Sequence, residues 1–336
     1  MSGRRTAFVT TGLAFGAVAG GVVARAALRR RRDPEAGEPL SLPPPEDLGP
    51  VESFDGTPIA VPASGDPSSP VLVFVHGFSL DMTSWHYQWT ALSERFRCVL
   101  FDLRSHGRSG RARGGDLSPG AMASDLAAVI EAIAPDGAVV VGHSLGGMSI
   151  LAAADAHPEL FGAGIRGVAL VGSAAAELLR GAMGSITGML RPRLGTLVQA
   201  ARRVDRLRRA VLAGPADIGR LIARMTQFGP DAPPHVVNYV VGLAGRAPAE
   251  VWTEGLAELM SADVRPALNR VVVPALVVVG DHDRVTPPAS AIALAAALPN
   301  ARLEVVEQAG HMAMMERPDV VNERLAAFAD EIWGRS

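Results

Sequence analysis

The chain has 336 residues, of which 48% are hydrophobic and 20% are charged, so it is long enough to bury one large core with an insertion. Its net charge of −2 gives no basic excess that would favour nucleic acid, and we expect no nucleic-acid partner. The absence of lysine and the single cysteine exclude a lysine Schiff base, a P-loop lysine and a thiolate metal cluster, and with scattered histidines we expect no metal and no other cofactor.

The N-terminal residues 1–32 form a hydrophobic, signal-like segment. Thr6 to Ala24 carries no charge, and a stretch of about 20 apolar residues can cross a bilayer. More arginines follow this stretch than precede it, which places its C-terminal side in the cytoplasm. We therefore expect an uncleaved membrane anchor, with membrane contact through residues 6–32 and a cytoplasmic catalytic domain. Secretion after signal cleavage is the alternative.

A linker is expected at residues 33–50, which are rich in proline and acidic residues and predict a semi-extended tether. The following segment, Val51 to Val61, contains Phe54-Asp55-Gly56-Thr57, a hairpin signal that predicts two antiparallel strands.

Short apolar runs that alternate with helical segments rich in alanine and leucine predict an α/β fold with a doubly wound, mostly parallel sheet. One run, Val71 to Val75, leads into His76-Gly77-Phe78. Another, Cys98 to Phe101, is expected to bury its cysteine as a small hydrophobic residue.

The apolar run Ala138 to Val141 precedes Gly142-His143-Ser144-Leu145-Gly146, a Gly-x-Ser-x-Gly motif between a predicted strand and a predicted helix. This motif predicts that Ser144 lies on a strained turn with positive φ, between glycines that let the strand and the helix approach each other. The serine hydroxyl would then lie at a helix N-terminus, where backbone N–H groups favour a developing negative charge.

Residues 176–264 interrupt the strand pattern and predict an inserted helical segment, with leucine and methionine at helical spacing. Most of these apolar side chains are expected to pack against the core. A basic run at residues 202–209 fits either a solvated helix face or contact with a membrane surface.

Two strand patterns near the C-terminus each end in a candidate polar residue. Ala275 to Val279 leads into Gly280-Asp281-His282-Asp283, and Arg302 to Val306 leads into Gln308-Ala309-Gly310-His311. The order along the chain is therefore serine, aspartate, histidine.

These motifs together resemble those of the α/β-hydrolase superfamily, and within it the bacterial serine esterase and lipase branch. The resemblance covers the chain from about Val51 to its end and is weakest in the inserted segment. It implies an α/β-hydrolase fold whose core is formed by residues 51–175 and 265–336. Residues 176–264 would form a helical cap, inserted before the penultimate core strand.

The resemblance also implies roles for individual residues. Ser144 would be the catalytic nucleophile, His311 the general base, and Asp283 the acid that orients it. Asp283 is preferred over Asp281 because the spacing of Gly280 and Pro287 matches the family pattern. The oxyanion would be held by backbone N–H groups of Phe78 and Leu145. The glycines that shape the elbow and the loop are Gly77, Gly142 and Gly146.

The leading hypothesis is a serine hydrolase that cleaves a small-molecule carboxylic ester, lipophilic in its acyl or alcohol part, through an acyl-enzyme. The same three residues would also serve C–C bond hydrolysis, acyl transfer or perhydrolysis. A non-catalytic ligand-binding protein is the third hypothesis. Epoxide hydrolase and haloalkane dehalogenase activity is disfavoured because those enzymes need an aspartate where Ser144 stands.

Overall fold

The computed structural model describes residues 40–41, 46–176 and 216–335. The expected anchor at residues 1–32, most of the linker, the basic run and the rest of residues 177–215 lie outside this part of the chain. Among the helices in the described ranges, none is both long and apolar enough to cross a membrane.

Eight strands form one sheet in the order β1-β2-β4-β3-β5-β6-β7-β8. The strands β1 and β2 are antiparallel to each other, and β2 is antiparallel to β4; the remaining pairs are parallel. The strand bounds are β1 Glu46–Glu52, β2 Pro58–Ser64, β3 Val71–Val75, β4 Arg97–Phe101, β5 Ala138–His143, β6 Ile165–Val171, β7 Ala275–Gly280 and β8 Ala301–Val306.

Helices cover both faces of this sheet. Their bounds are α1 His86–Leu92, α2 Pro119–Ile133, α3 Leu145–Ala156, α4 Ala216–Thr226, α5 Pro234–Arg246, α6 Leu256–Ser261, α7 Pro288–Ala297, α8 Ala313–Glu316 and α9 Pro318–Ile332. A π-helical turn at Val251–Gly255 leads into α6. The doubly wound, mostly parallel sheet predicted from the strand pattern is confirmed.

The central strands are continuous apolar runs because both faces of the sheet are covered. Side chains alternate along β3, so Leu72 and Phe74 pack with α1 and α9, whereas Val73 and Val75 pack with α2 and α3. Each fully buried aliphatic or aromatic side chain contributes roughly 1.5–3 kcal/mol to the hydrophobic stabilisation of the fold. The sheet is therefore a rigid support for the loops at its carboxyl edge.

The first strand begins earlier than the sequence pattern predicts. The linker was expected to extend to residue 50, but β1 starts at Glu46, which pairs with Ala63 of β2. The proline at position 50 is tolerated because β1 is an edge strand, and the pairing register shifts between Asp47 and Pro50. Cross-strand pairing thus outweighs the local composition that suggested a tether.

The two ends of the segment inserted between β6 and β7 lie next to each other. Ala176 and Asp263 form an antiparallel bridge, and the Val264 N–H donates to the Ala175 carbonyl oxygen. The described part of the insertion, residues 216–264, consists of α4, α5, the π-helical turn and α6. These helices lie above the carboxyl edge of the sheet, where the motif residues emerge.

Candidate active site

The carboxyl ends of β3 and β5 lie side by side at the point where the strand order reverses, because β4 and β5 flank β3. Val75 pairs with Gly142 at the ends of these two strands. The loop that carries Gly77 and Phe78 therefore emerges next to the turn that carries Ser144. In open α/β sheets, the crevice outside such a reversal is where ligands bind.

Ser144 occupies the sharp turn between β5 and α3. Its backbone has φ 51° and ψ −112°, a conformation that few residues other than glycine adopt. Its N–H donates to the Val171 carbonyl oxygen at 3.0 Å, and its own carbonyl oxygen accepts the Met148 N–H at 3.1 Å. The strained conformation is thus held by the strand on one side and by the first turn of α3, which begins at Leu145, on the other.

Glycine is required on both sides of this turn. A Cβ added to Gly142 would lie 2.6 Å from the Gly147 backbone nitrogen. A Cβ added to Gly146 would lie 2.4 Å from the Val75 carbonyl oxygen. Any side chain at either position would therefore push α3 away from the sheet.

Asp283 and His311 form a buried pair beside this turn. His311 Nδ1 donates to Asp283 Oδ2 at 2.9 Å. The other carboxylate oxygen of Asp283, Oδ1, accepts the backbone N–H groups of Val285 and Thr286, both at 2.8 Å, and the Thr286 hydroxyl donates to Oδ2 at 2.7 Å. This carboxylate is held at both oxygens, so its direction toward the imidazole is fixed.

The charge state of Asp283 follows from these contacts. Burial raises its pKa, but the His311 charge and the hydrogen bonds from His311 and Thr286 outweigh it, so the pKa lies below its ordinary value. An ionised Asp283 accepts a hydrogen bond from the N–H at His311 Nδ1, which leaves Nε2 as the basic nitrogen. This is the tautomer that general-base catalysis needs.

Asp281, the alternative acid, has a different environment. Its Oδ1 accepts the Ala309 N–H at 3.2 Å, and its N–H donates to the Val306 carbonyl oxygen. It therefore stabilises the turn between β7 and the loop that follows β8.

Two residues after β6 link the turn to the acid–base pair. The Ser173 hydroxyl donates to the Ser144 carbonyl oxygen at 2.9 Å. Its neighbour Gly172 has φ +53°, and a Cβ there would lie 3.2 Å from His311 Nδ1 and 3.5 Å from Asp283 Oδ2. Ser144, Asp283 and His311 therefore share one crevice around these two small residues. No local sequence pattern indicates this role of Gly172.

Gly77 lies directly against Ser144, since a Cβ at Gly77 would be 3.3 Å from the Ser144 Cβ. His76 supports this loop from below. Its Nδ1 donates to the Gly77 carbonyl oxygen at 2.8 Å, while its Nε2 accepts the Leu103 N–H at 3.0 Å. Burial lowers the pKa of His76 well below its usual value, so the ring stays neutral and keeps both contacts.

The side chain of Phe78 contacts the cap. Its ring meets the Trp252 ring edge-on, with centroids 5.2 Å apart. A Cβ at Gly255 would lie 3.5 Å from the Phe78 ring and 3.5 Å from Leu117. The π-helical turn of the cap therefore packs on the loop that follows β3, and π-helical turns are frequent at functional sites.

His143, between Gly142 and Ser144, contacts the loop that carries His311. Its Nε2 donates to the His311 carbonyl oxygen at 3.1 Å, and the two ring centroids are 4.7 Å apart. Burial, reinforced by His311, lowers the pKa of His143 to about 3, so the ring is neutral at ordinary pH. No local sequence pattern indicates that this residue holds the His311 backbone.

A serine–histidine hydrogen bond lies outside the candidate site. The Ser124 hydroxyl lies 3.0 Å from His157 Nε2, and His157 Nδ1 lies 3.5 Å from the exposed carboxylate of Glu159. Ser124 is inside α2 rather than on a strained turn at a helix N-terminus. This pair lacks the geometry that would stabilise an oxyanion.

A cleft of about 500 Å³ lies between the loops after β3 and β4 and the end of α5. Asp102 lines it and accepts the N–H groups of Met82 and Arg108, both at 2.7 Å. Burial raises the pKa of Asp102 to about 7.

In the described ranges, no three histidine, cysteine, aspartate or glutamate side chains are grouped so that they could hold a metal ion.

Comparisons with known proteins agree with this geometry. The model of the alpha/beta hydrolase family matches residues 72–324. A non-heme chloroperoxidase of Streptomyces lividans is 30% identical over 84% of this chain and 99% of its own length. A bifunctional esterase/perhydrolase of Acinetobacter calcoaceticus is 31% identical over 71% of this chain and 84% of its own length. The esterase EaEST from Exiguobacterium antarcticum has the same fold, with a TM-score of 0.70 and 23% identity over 84% of this chain and 99% of its own.

The chain belongs to the alpha/beta hydrolase family. It is an enzyme with the α/β-hydrolase fold, and the resemblance inferred from the motifs is confirmed.

Proposed function

We propose that this protein is a serine hydrolase that cleaves a carboxylic ester by way of an acyl-enzyme. The observation that carries the proposal is the buried Asp283–His311 hydrogen bond at the crevice that also holds Ser144 in a strained turn. The ester class is further supported by the similarity to the esterase/perhydrolase.

The reaction would proceed in two steps. In the first, His311 Nε2 takes the Ser144 proton as Oγ attacks the ester carbonyl, and the N–H groups of Phe78 and Leu145 hold the oxyanion. His311 then returns this proton to the departing alcohol, leaving the acyl group on Ser144. In the second step, His311 takes a proton from water, which attacks the acyl carbonyl, and returns it to Ser144 as the acid leaves. Asp283 stabilises the imidazolium in both steps.

The substrate would carry an apolar acyl or alcohol part. The support for this is the aromatic contact of Phe78 with Trp252, beside the loop that follows β3. Apolar surface of this kind favours ligands that bury hydrocarbon on binding.

The test uses the full-length chain and p-nitrophenyl esters from acetate to palmitate. Ser144→Ala should abolish turnover and labelling by a fluorophosphonate. Ser124→Ala is the matched control, because it removes a serine that is hydrogen-bonded to a histidine outside the candidate site, and it should leave turnover unchanged. Ester cleavage that survives in Ser144→Ala would refute the proposal. Labelling of Ser144 without turnover of any ester would favour C–C bond hydrolysis or acyl transfer. Ligand binding with neither labelling nor turnover would favour the non-catalytic hypothesis.

Perhydrolysis is a second candidate, favoured by the similarity to the bifunctional esterase/perhydrolase and the chloroperoxidase. Hydrogen peroxide would then replace water in the second step, attack the acyl carbonyl on Ser144 and leave as a peracid. Supplying an ester with hydrogen peroxide and measuring peracid against free acid distinguishes the two reactions. Peracid that forms with wild-type protein but not with Ser144→Ala would establish the second activity.

Membrane attachment through residues 6–32 is the remaining part of the proposal. Leu40 is the first residue that the structure describes, and its side chain is 4% exposed. The carbonyl oxygen of the next residue, Ser41, accepts a hydrogen bond from His86 Nδ1 at 2.8 Å. Deleting residues 1–32 preserves these contacts. The deletion should move the protein from the membrane fraction of cells to the supernatant, and protease protection in intact spheroplasts should distinguish the cytoplasmic from the secreted orientation.

A further inference from the structure

Glu316, the last residue of α8, carries a buried carboxylate that the proposed reaction does not use. The residue is 4% exposed. Its Oε1 accepts the Gly310 N–H at 2.9 Å, and its Oε2 accepts the Gly229 N–H at 2.7 Å. Gly310 immediately precedes His311, whereas Gly229 follows α4 in the cap. One carboxylate therefore bridges two segments that are far apart in the chain.

The two bridged segments are in direct backbone contact. The His311 N–H donates to the Gln227 carbonyl oxygen at 2.7 Å. A Cβ at Gly310 would lie 2.5 Å from the Phe228 carbonyl carbon, and a Cβ at Gly229 would lie 2.5 Å from the Gln308 carbonyl oxygen. No side chain fits between the segments at these two glycines, and the N–H groups of Gly229 and Gly310 take an acceptor from outside the two segments. The carboxylate of Glu316 supplies it.

The His311 loop also contains backbone strain. Gln308 has φ 57°, a left-handed conformation that a residue with a side chain keeps only when its surroundings impose it. The cap segment and Glu316 hold this loop together with the bonds from Asp281 to Ala309 and from His143 to His311. Weakening them would let the loop relax and carry His311 with it.

Burial and hydrogen bonding act on the charge of Glu316 in opposite directions. Burial raises its pKa to about 7, while the N–H groups of Gly229, Gly310 and Met312 and the charge of Arg317 favour the ionised form. An ionised carboxylate accepts hydrogen bonds at both oxygens, and bonds of this kind are about twice as strong as neutral ones.

We propose that Glu316 is a positioning residue that fastens the His311 loop to the cap segment Gln227–Gly229, so that the cap and the general base are held in one arrangement. This inference rests on the proposed function, because it assumes that His311 acts on Ser144. A displacement of about 1 Å in a reacting group can lower the rate about a hundredfold, so the loss should appear in the chemical step rather than in substrate binding.

The experiment compares Glu316→Gln with Glu316→Asp in the full-length chain. Gln keeps the shape but directs an NH2 group toward a backbone N–H, whereas Asp keeps the charge. The matched control is Glu323→Gln, which alters an exposed glutamate on α9. The measured quantities are the maximal rate of fluorophosphonate labelling, kinact, the inhibitor constant KI, and Tm.

For Glu316→Gln we expect kinact to fall about tenfold to a hundredfold with KI within about twofold, partial rescue in Glu316→Asp, and no change in the control. An unchanged kinact in a folded Gln variant would overturn the inference, and so would a change confined to KI. If both variants unfold, the test is amide hydrogen exchange in the wild-type protein, which gives the opening free energies of the Gly229 and Gly310 N–H groups. Equal opening free energies at the two amides support the bridge, whereas unequal ones overturn it.

These outcomes are separable from a failure of the proposed function. Turnover that persists in Ser144→Ala would contradict the proposed function, whatever Glu316 does. Loss of turnover in Ser144→Ala together with equal kinact in wild type and Glu316→Gln would contradict only this inference.

Discussion

The Thr286 hydroxyl donates a hydrogen bond of 2.7 Å to Asp283 Oδ2, the same oxygen that accepts the His311 ring N–H. The Thr286 backbone N–H donates to the other carboxylate oxygen. One residue therefore orients both oxygens of the proposed acid. Its hydroxyl also lies 3.3 Å from His311 Nδ1, so it limits where the imidazole can lie.

Thr286→Val should lower kcat/KM for a p-nitrophenyl ester about threefold to tenfold. The change keeps the shape of the side chain but removes one hydrogen bond to a charged group, which typically contributes about 1.5–3 kcal/mol. The expected loss of activity is smaller than this energy because the hydrogen bond from His311 still orients the carboxylate. Removing that bond also raises the pKa of Asp283, since the Thr286 hydroxyl is one of the groups that lower it. Thr286→Ser keeps the hydroxyl and should behave like wild type. Equal activity of the Val variant would show that the remaining donors suffice.

Gly172→Ala should reduce both stability and catalysis. A Cβ there would lie 3.1 Å from the His311 carbonyl oxygen and 3.2 Å from its Nδ1, in a backbone with φ +53°. The control is Gly162→Ala, because Gly162 also has positive φ but has open space around its Cα. Both changes should lower the free energy of unfolding by about 1 kcal/mol through backbone strain. Only Gly172→Ala should lower kcat/KM, as measured beside urea denaturation. Equal kcat/KM values for Gly172→Ala and Gly162→Ala would mean that His311 lies further from Gly172 than the structure shows.

The buried histidines should make the protein less stable as pH falls below about 6.5. Burial lowers the pKa of His106 to about 4, whereas the unfolded chain keeps the ordinary value of 6.5. Between these values the unfolded state binds the proton and the native state does not. Each such histidine therefore removes up to about 1.4 kcal/mol of unfolding free energy per pH unit in this window. In denaturant titrations from pH 7 to pH 4, His106→Gln should show a shallower decline than wild type, even if it is less stable throughout. An unchanged slope would contradict burial of a neutral ring.

Asp102 should have the opposite effect on the same titration. Burial raises its pKa to about 7 from an ordinary value of 3.8, so the native state keeps a proton that the unfolded state has lost between these values. This group lowers stability progressively as pH rises from about 4 to 7. Asp102→Asn removes this contribution and should therefore steepen the decline toward low pH, the reverse of His106→Gln. A shallower decline in Asp102→Asn would show that the carboxyl is ionised in the native state.

The sequence predicted those parts of the fold and site that depend on local patterns. Apolar runs ending in Gly-x-Ser-x-Gly and in Gly-His are readable because strand periodicity and turn chemistry are properties of neighbouring residues. The same motif predicted that Gly142 and Gly146 let the strand and the helix approach each other. The close backbone contacts that a Cβ would make at both positions give the physical reason.

The residues that the sequence did not reveal act between distant segments. The contact of His143 with His311 joins positions 168 residues apart, and that of Glu316 with Gly229 joins positions 87 residues apart. No local periodicity encodes such pairings, since they arise only when the sheet brings its loops together. The start of β1 was misplaced for the same reason, because Glu46 is fixed by its partner on β2 rather than by its neighbours.

The contact of Phe78 with Trp252 gives a prediction about substrate range. The Phe78 ring is held edge-on by Trp252, whose own Nε1 donates to the Ala244 carbonyl oxygen at 3.2 Å. Trp252→Ala removes one ring of an aromatic pair that contributes about 0.5–1.5 kcal/mol beyond its buried area, and it opens space beside the loop. Because Phe78 supplies a proposed oxyanion donor, kcat/KM for short esters should fall about tenfold.

The same change should favour longer acyl chains, since the space left by the indole is apolar. Measuring kcat/KM across p-nitrophenyl esters from acetate to palmitate separates the two effects. Trp333→Ala is the control, because Trp333 stacks with Arg166 beyond the end of α9 and should leave the profile unchanged. A uniform loss at every chain length would mean that Trp252 only positions the Phe78 loop. An unchanged profile would place the acyl group on another side of Ser144.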